Sequence, residues 1–249
     1  EIMPSLVGSE MCIRDRPTEE EQYEAYSTVA KTMDGKEVII RTLDIGGDKA
    51  VDYLKIEKED NPFLGHRAIR YCLDNPSLFK TQLRAILRAA VFGDIKIMLP
   101  LVTTVDEVRQ AKALIEQCKA ELDGDGLRYA DAPVGVMIET PSAALISDLL
   151  AKEVSFFSIG TNDLTGYTMA VDRGNSAVSN LYDATQPAVL RAIEMTIKNA
   201  KAAGIQVGMC GEAAADERLI PNLVKWGLDE FSVTPSSILQ TRKYICECD

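Results

Sequence analysis

Residues 156–175 read FFSIGTNDLTGYTMAVDRGN. An apolar run without polar alternation, such as FFSI, reads as a strand buried on both faces, which is the habit of parallel sheets. It ends in Gly-Thr-Asn-Asp, and a strand interior has no use for an Asn-Asp pair. The pair marks the strand's carboxyl end as a place where something is held.

The same grammar repeats on both sides. EVIIRTLDIGG (37–47), IKIMLPLV (95–102), VGVMIET (134–140), IQVGMCGE (205–212) and DEFSV (229–233) are short apolar runs closed by polar residues or glycine. Between them lie helical patterns: PSLFKTQLRAILRAAVFG (76–93), VDEVRQAKALIEQCKAEL (105–122), SAALISDLLAKE (142–153), AVLRAIEMTIKNAKAAG (188–204) and ERLIPNLVKWG (217–227). A first helix is expected from a capping box at Thr18 and Glu21 to about Met33, with Gly35 as its stop. A last one is expected over SSILQTRKYICEC (236–248). Six strands alternating with amphipathic helices predict an α/β fold with a parallel sheet.

Two closures fit: an open doubly wound sheet, or a (β/α)8 TIM barrel of which about six of eight strands are present. The placement of unusual residues favours the barrel. Arg41 and Asp44 follow VII, Glu139 follows VGVMI, Asn162 and Asp163 follow FFSIG, and Cys210 follows VGM. Strand carboxyl ends converge on one mouth in a barrel, whereas an open sheet gathers only those beside its switch point.

The 249 residues are 46% hydrophobic, enough for a sizeable core, and carry a net charge of -11. Nucleic-acid and anionic-membrane binders need a positive field, so neither partner is expected, and an anionic ligand would need a local arginine cluster. No apolar stretch approaches the roughly 20 residues of a bilayer span. Six irregularly spaced cysteines form neither a disulfide framework nor a CxxC zinc pattern, and the expectation is a cytoplasmic protein. Residues 1–16, EIMPSLVGSEMCIRDR, show no periodicity and resemble sequencing-adapter read-through. They are expected to be a non-native or disordered segment, leaving 17–249 as the partial barrel.

Glu139 and Asp163 are carboxylates suited to a hard cation such as Mg²⁺; the alternative is that each caps the helix that follows. Arg41, Arg67 and Arg173 suit phosphate or carboxylate oxygens, against surface salt bridging, to which Arg84, Arg88 and Arg109 are assigned. Cys210, between glycines in GMCGE (208–212), reads as a thiol that substrate can approach, against the small-hydrophobe reading given to Cys72 and Cys118. Cys246 and Cys248 are left as helix-terminal. The lone histidine, His66, reads as a pocket or structural residue, and IGGDK (45–49) lacks P-loop spacing.

Together RTLDIGGDK (41–49), NPFLGHRAIR (61–70), ETPSAA (139–144), FFSIGTNDLTGYTMAVDRGN and GMCGE resemble the phosphoenolpyruvate-binding barrel of Enzyme I of the bacterial phosphotransferase system. Pyruvate phosphate dikinase and phosphoenolpyruvate synthase share this barrel, and a non-catalytic remnant is a third reading. The resemblance implies phosphoenolpyruvate and Mg²⁺ at the mouth, with Arg41 and Arg67 on the phosphate, Asn162, Asp163 and Arg173 on the substrate, and Glu139 and Asp163 on the metal. It implies Cys210 as the acid that yields pyruvate. A histidine on a separate N-terminal domain would take the phosphoryl group and pass it to the carrier HPr, in a homodimeric protein. That domain, the first two barrel strands and part of the last helix are expected to be missing, so the chain alone should not phosphorylate HPr. Gly166 stands where the family usually has glutamine, and His66 where it often has tryptophan.

Overall fold

The computed structural model describes residues 17–45 and 59–248. The expectations for residues 1–16 and for most of IGGDK lie outside them. The chain divides into two compact units. The N-terminal one takes the described residues of Leu6–Leu101 and Asp106–Val134; the C-terminal one takes Val102–Val105 and those of Gly135–Asp249.

In the N-terminal unit, α1 (Glu19–Thr32) starts at the expected capping box: the Thr18 hydroxyl accepts from the Glu21 N–H, and the Glu21 carboxylate accepts from the Thr18 N–H. Strand β1 (Val38–Arg41) runs parallel to β2 (Ile95–Leu99), pairing Val38 with Ile95 and Arg41 with Met98. Between them come α2 (Ile69–Asp74), which the sequence pattern does not announce, and α3 (Pro76–Ala89). Helix α4 (Val105–Gly124) follows β2. The apolar stripe of α3, with Phe79, Leu83, Ile86 and Leu87, is buried along with Ile95, Ile97 and Leu99 of β2, so the helix covers its strand with the face that its spacing assigns.

Arg84 and Arg88 on α3 confirm their assignment to ion pairing. Arg84 pairs with Glu19 at 2.7 Å and Asp125 at 2.8 Å; Arg88 pairs with Glu19 at 2.8 Å and Glu20 at 2.9 Å and lies 4.1 Å from the Tyr23 ring centre. They are largely covered rather than solvated, and they fasten α1 to α3. Arg109 pairs with Asp106 at 3.6 Å on an exposed surface.

The C-terminal unit carries β3 (Val134–Ile138), β4 (Phe156–Gly160), β5 (Gln206–Cys210) and β6 (Glu230–Phe231), each parallel to the next. Between them lie α5 (Pro141–Leu145), α6 (Ser147–Leu150), α7 (Thr161–Met169), α8 (Pro187–Ala203) and α9 (Ile220–Trp226), and α10 (Ile238–Cys246) closes the chain. The core joins Val136, Phe157 and Ile159 to Val189, Ile193 and Ile197 of α8.

The single helix expected over 142–153 is broken at Ile146, which ends α5 and begins α6. Ser147 explains the break: its hydroxyl donates to the Ala144 carbonyl at 2.8 Å and accepts from the Asn199 amide at 2.8 Å. Such local side-chain bonds compete with helical pairing. The strand expected over FFSIGTND stops at Gly160, and Asn162 and Asp163 fall in the first turn of α7.

Among the described residues strands and helices alternate along the chain, with six strands in a parallel sheet; a complete (β/α)8 barrel has eight. The fold is α/β of the TIM-barrel type. No helix among the described residues is long and apolar enough to cross a membrane.

Candidate functional site

In the N-terminal unit, Arg41 is the last residue of β1 and Arg67 sits just before α2. Both are drawn to Asp44. Arg67 Nη2 lies 2.8 Å from Asp44 Oδ1, and Arg41 Nη1 lies 3.2 Å from Asp44 Oδ2. The Arg67 guanidinium also stacks 5.6 Å from the Phe63 ring centre. Neighbouring His66 points elsewhere, pairing with Asp74 at 2.8 Å on an exposed surface. Cys72 is buried as expected; burial, then the Asp44 charge, pushes its thiol up to about 12. Burial pushes Cys118 up to about 12 as well, so neither supplies a thiolate near neutral pH.

In the C-terminal unit, Glu139, Gly160 and Cys210 stand at the ends of three neighbouring strands. The β4–β5 register sets Gly160 against Cys210, and the β3–β4 register sets Ile138, just before Glu139, against Ile159. Glu139 is only 3% exposed. A Cβ built on Gly160 would fall 2.9 Å from Glu139 Oε2, so the missing side chain is what admits the carboxylate there.

Helix capping explains neither acid. The cap of α5 is Thr140, whose hydroxyl accepts from the Ala143 N–H at 3.1 Å. The N-cap of α7 is Gly160, with no side-chain capping bond, and Asp163 lies inside the first turn. Glu139 and Asp163 each carry oxygen donors of the hard kind that Mg²⁺ takes. Groups of three or more His, Cys, Asp or Glu able to hold a metal do not occur among the described residues. The remaining positions would belong to substrate and water.

Asn162 and Cys210 are held from their flanks. The Tyr182 hydroxyl donates to the Asn162 carbonyl at 2.9 Å, and the Glu212 N–H donates to Asn162 Oδ1 at 3.3 Å. The Thr161 hydroxyl donates to the Cys210 carbonyl at 2.9 Å, and the Ser158 hydroxyl to Cys210 Sγ at 3.6 Å. Arg173 is exposed, and its charge acts on the Tyr182 phenol. Burial raises the Tyr182 phenol above its ordinary range; the Arg173 charge opposes this, while Glu212 and Asp163 add to it.

The glycines around Cys210 have another origin than ligand approach. A Cβ on Gly208 would meet Glu230 Oε2 at 2.9 Å, and one on Gly211, at φ +94°, would meet Thr161 Oγ1 at 2.5 Å. Both are required by protein neighbours. Ser158, Thr161 and Tyr182 are supporting residues that sequence reasoning did not single out, and Asp44, noted there as a strand-end acid, was given no role. Only Asp44 left a signal, three residues beyond Arg41 in the same motif.

Acids, an amide and a thiol stand at strand ends of an α/β fold of the TIM-barrel type, the end at which such barrels carry their binding loops. Residues 8–249 match the family described as PEP-utilising enzyme, PEP-binding domain, and the chain belongs to that family. It is 57% identical over 232 residues to a phosphoenolpyruvate-protein phosphotransferase of Priestia megaterium, covering 93% of this chain and 40% of the relative. It is 54% identical over 230 residues to a protein of the same name from Bacillus subtilis, covering 92% and 40%. The chain thus spans about 40% of the length of these relatives. Among solved structures, a Haloferax volcanii malate synthase matches with TM-score 0.58 at 16% identity, over 91% of this chain and 58% of that one, a likeness of fold.

Proposed function

We propose that the chain is the phosphoenolpyruvate-binding part of a phosphoenolpyruvate-protein phosphotransferase. It binds phosphoenolpyruvate with Mg²⁺ and supports transfer of the phosphoryl group to a histidine on another domain, then to an HPr-type carrier in sugar transport. Family membership and the names of relatives above 50% identity support the reading. The observation that carries it is the buried Glu139 carboxylate packed on Gly160, which opens the helix of Asn162 and Asp163 and pairs in register with Cys210. In this reading the full-length protein is a cytoplasmic homodimer.

Phosphoryl transfer asks a protein mainly for positioning and charge neutralisation. Arg41 and Arg67 hold the phosphate, whose planar forks match its oxygens. Arg173 and Asn162 hold the remaining anionic end. Glu139 and Asp163 would hold Mg²⁺, which would supply positive charge to neutralise the phosphate oxygens. Once the phosphoryl group has left, the enolate of pyruvate needs a proton at its methylene carbon. The Cys210 thiol donates it, and the Ser158 hydroxyl, directed at Sγ, stabilises the thiolate left behind.

Calorimetric titration of the chain with phosphoenolpyruvate, with and without Mg²⁺, tests this. Mg²⁺-dependent binding that is lost in Arg41→Ala and in Asp163→Ala is expected. Binding unchanged in both variants, or none in the parent chain, rejects the site.

A further inference from the structure

Asp44 sits among the most charged groups of the N-terminal unit, yet no step above uses it. Its side chain is 9% exposed, beside Arg67 at 8% and Arg41 at 23%. Each carboxylate oxygen takes one guanidinium: Oδ1 takes Arg67 Nη2 and Oδ2 takes Arg41 Nη1. Two guanidinium groups brought together in a covered place repel; a carboxylate between them removes the repulsion and fixes the angle between the forks.

The backbone on both sides is fastened to the same end. The Ala68 N–H donates to the Ile45 carbonyl at 3.2 Å, tying the Arg67–Ala68 step to the residue after Asp44. Ala68 is fully buried and adopts φ +51°, a left-handed conformation that a residue with a Cβ keeps only when its surroundings impose it. From α3, the Gln82 carboxamide accepts from the Leu43 N–H at 3.0 Å and donates to the Tyr26 hydroxyl at 3.2 Å, which fixes the segment between Arg41 and Asp44.

We propose that Asp44 is a positioning residue whose bridging carboxylate sets Arg41 and Arg67 as a pair for the phosphate of phosphoenolpyruvate. The proposal rests on the reading in which those arginines bind that phosphate. It opposes a simple Coulomb view. An anion near the substrate should weaken binding, so neutralising it should strengthen binding; if Asp44 is what orients the donors, neutralising it weakens binding.

The test is titration of the 249-residue chain with phosphoenolpyruvate and Mg²⁺, comparing the parent with Asp44→Asn and Asp44→Glu, each checked by thermal melting. Asp44→Asn should bind about tenfold more weakly, the scale of one charge-assisted hydrogen bond. Asp44→Glu should recover part of the loss. Equal or tighter binding by Asp44→Asn overturns the proposal. A second readout needs neither substrate nor any Asp44 variant: guanidinium rotation in the ligand-free parent by ¹⁵N NMR, with Arg41 and Arg67 assigned through their lysine substitutions. Slow rotation of both groups supports the clamp even if phosphoenolpyruvate fails to bind, in which case only the substrate reading falls. Free rotation of both groups in the parent refutes the clamp.

Discussion

Replacing Gly211 by alanine should loosen the junction between β4 and β5 far more than its size suggests. Gly211 has φ +94° and ψ -179°, a region that only glycine visits freely, so an alanine there costs roughly 1–3 kcal/mol in backbone strain. Its Cβ would lie 2.5 Å from Thr161 Oγ1 and 3.0 Å from Asn162 Oδ1. Relieving that overlap means pushing Thr161 off the Cys210 carbonyl or shifting the strand end, an overpacking cost of roughly 1–3 kcal/mol. The reduced freedom of the unfolded chain returns about 0.4–1 kcal/mol. Gly204→Ala is the matched control: φ is +71° and no atom lies within 4 Å of a built Cβ, so only the left-handed penalty of roughly 1–2 kcal/mol applies, less the same return. Urea unfolding followed by fluorescence of Trp226, the chain's single tryptophan and part of the C-terminal unit, compares the two directly. Gly211→Ala should be the less stable variant by about 1–3 kcal/mol, the overpacking share. A Gly211 variant as stable as the Gly204 variant would refute the role given to the Thr161 contact.

If the proposed role of Cys210 holds, the chain in D₂O with Mg²⁺ should exchange the methyl protons of pyruvate, because a thiol that protonates the enolate must also form it by the reverse step; Cys210→Ala should lose this exchange in ¹H NMR while still binding phosphoenolpyruvate, and undiminished exchange would remove the thiol from its role. Arg218 joins Asp216 at 2.6 Å to Asp183 at 3.3 Å. The Thr185 backbone bond is the first cause holding Asp183 low, and the Arg218 hydrogen bond the first holding Asp216 low. Since both folded-state values lie below the unfolded ones, their stabilisation is present above about pH 4 and is lost as pH falls through the depressed values. Arg218→Ala should therefore flatten the acid limb of the stability curve by lowering stability slightly above about pH 4, a small loss as expected of an exposed pair, while leaving stability below the depressed values unchanged. Arg88→Ala should cost about 1–2 kcal/mol through its lost stacking on Tyr23 and its ion pairs, with faster amide exchange across α1; exchange confined to α3 would contradict the fastening.

What the sequence made legible was what period and chemistry reveal locally. Buried strands betray themselves by unbroken apolar runs, and the α1 start by Thr18 and Glu21 three residues apart. The break at Ile146 was hidden because it depends on Asn199, 52 residues from the serine that it holds. Helix α2 was hidden because six residues span too few turns for a period to show. The arginines, acids and thiol could be picked out because strand ends are unusual places for them. Their purpose in the local frame was harder to read: glycines beside Cys210 looked like room for a ligand and turned out to be room for Thr161 and Glu230.

The residues to which sequence reasoning gave no role share one property. Asp44, Ser158, Thr161 and Tyr182 each hold a candidate ligand group, and all but Asp44 belong to segments 20 to 52 residues removed or face a neighbour across the sheet. A group that meets a ligand must be chemically conspicuous, such as a guanidinium or a thiol. A group that orients it needs only one oxygen in the right place, and serine, threonine and tyrosine supply that anywhere in a protein. Asp44 is the exception that the sequence could have exposed: an acid three residues past Arg41, drawn also to an arginine 23 residues further on. An acidic side chain inside a motif otherwise built for an anion opposes that motif's own charge, and bridging the two guanidinium groups gives it a use there.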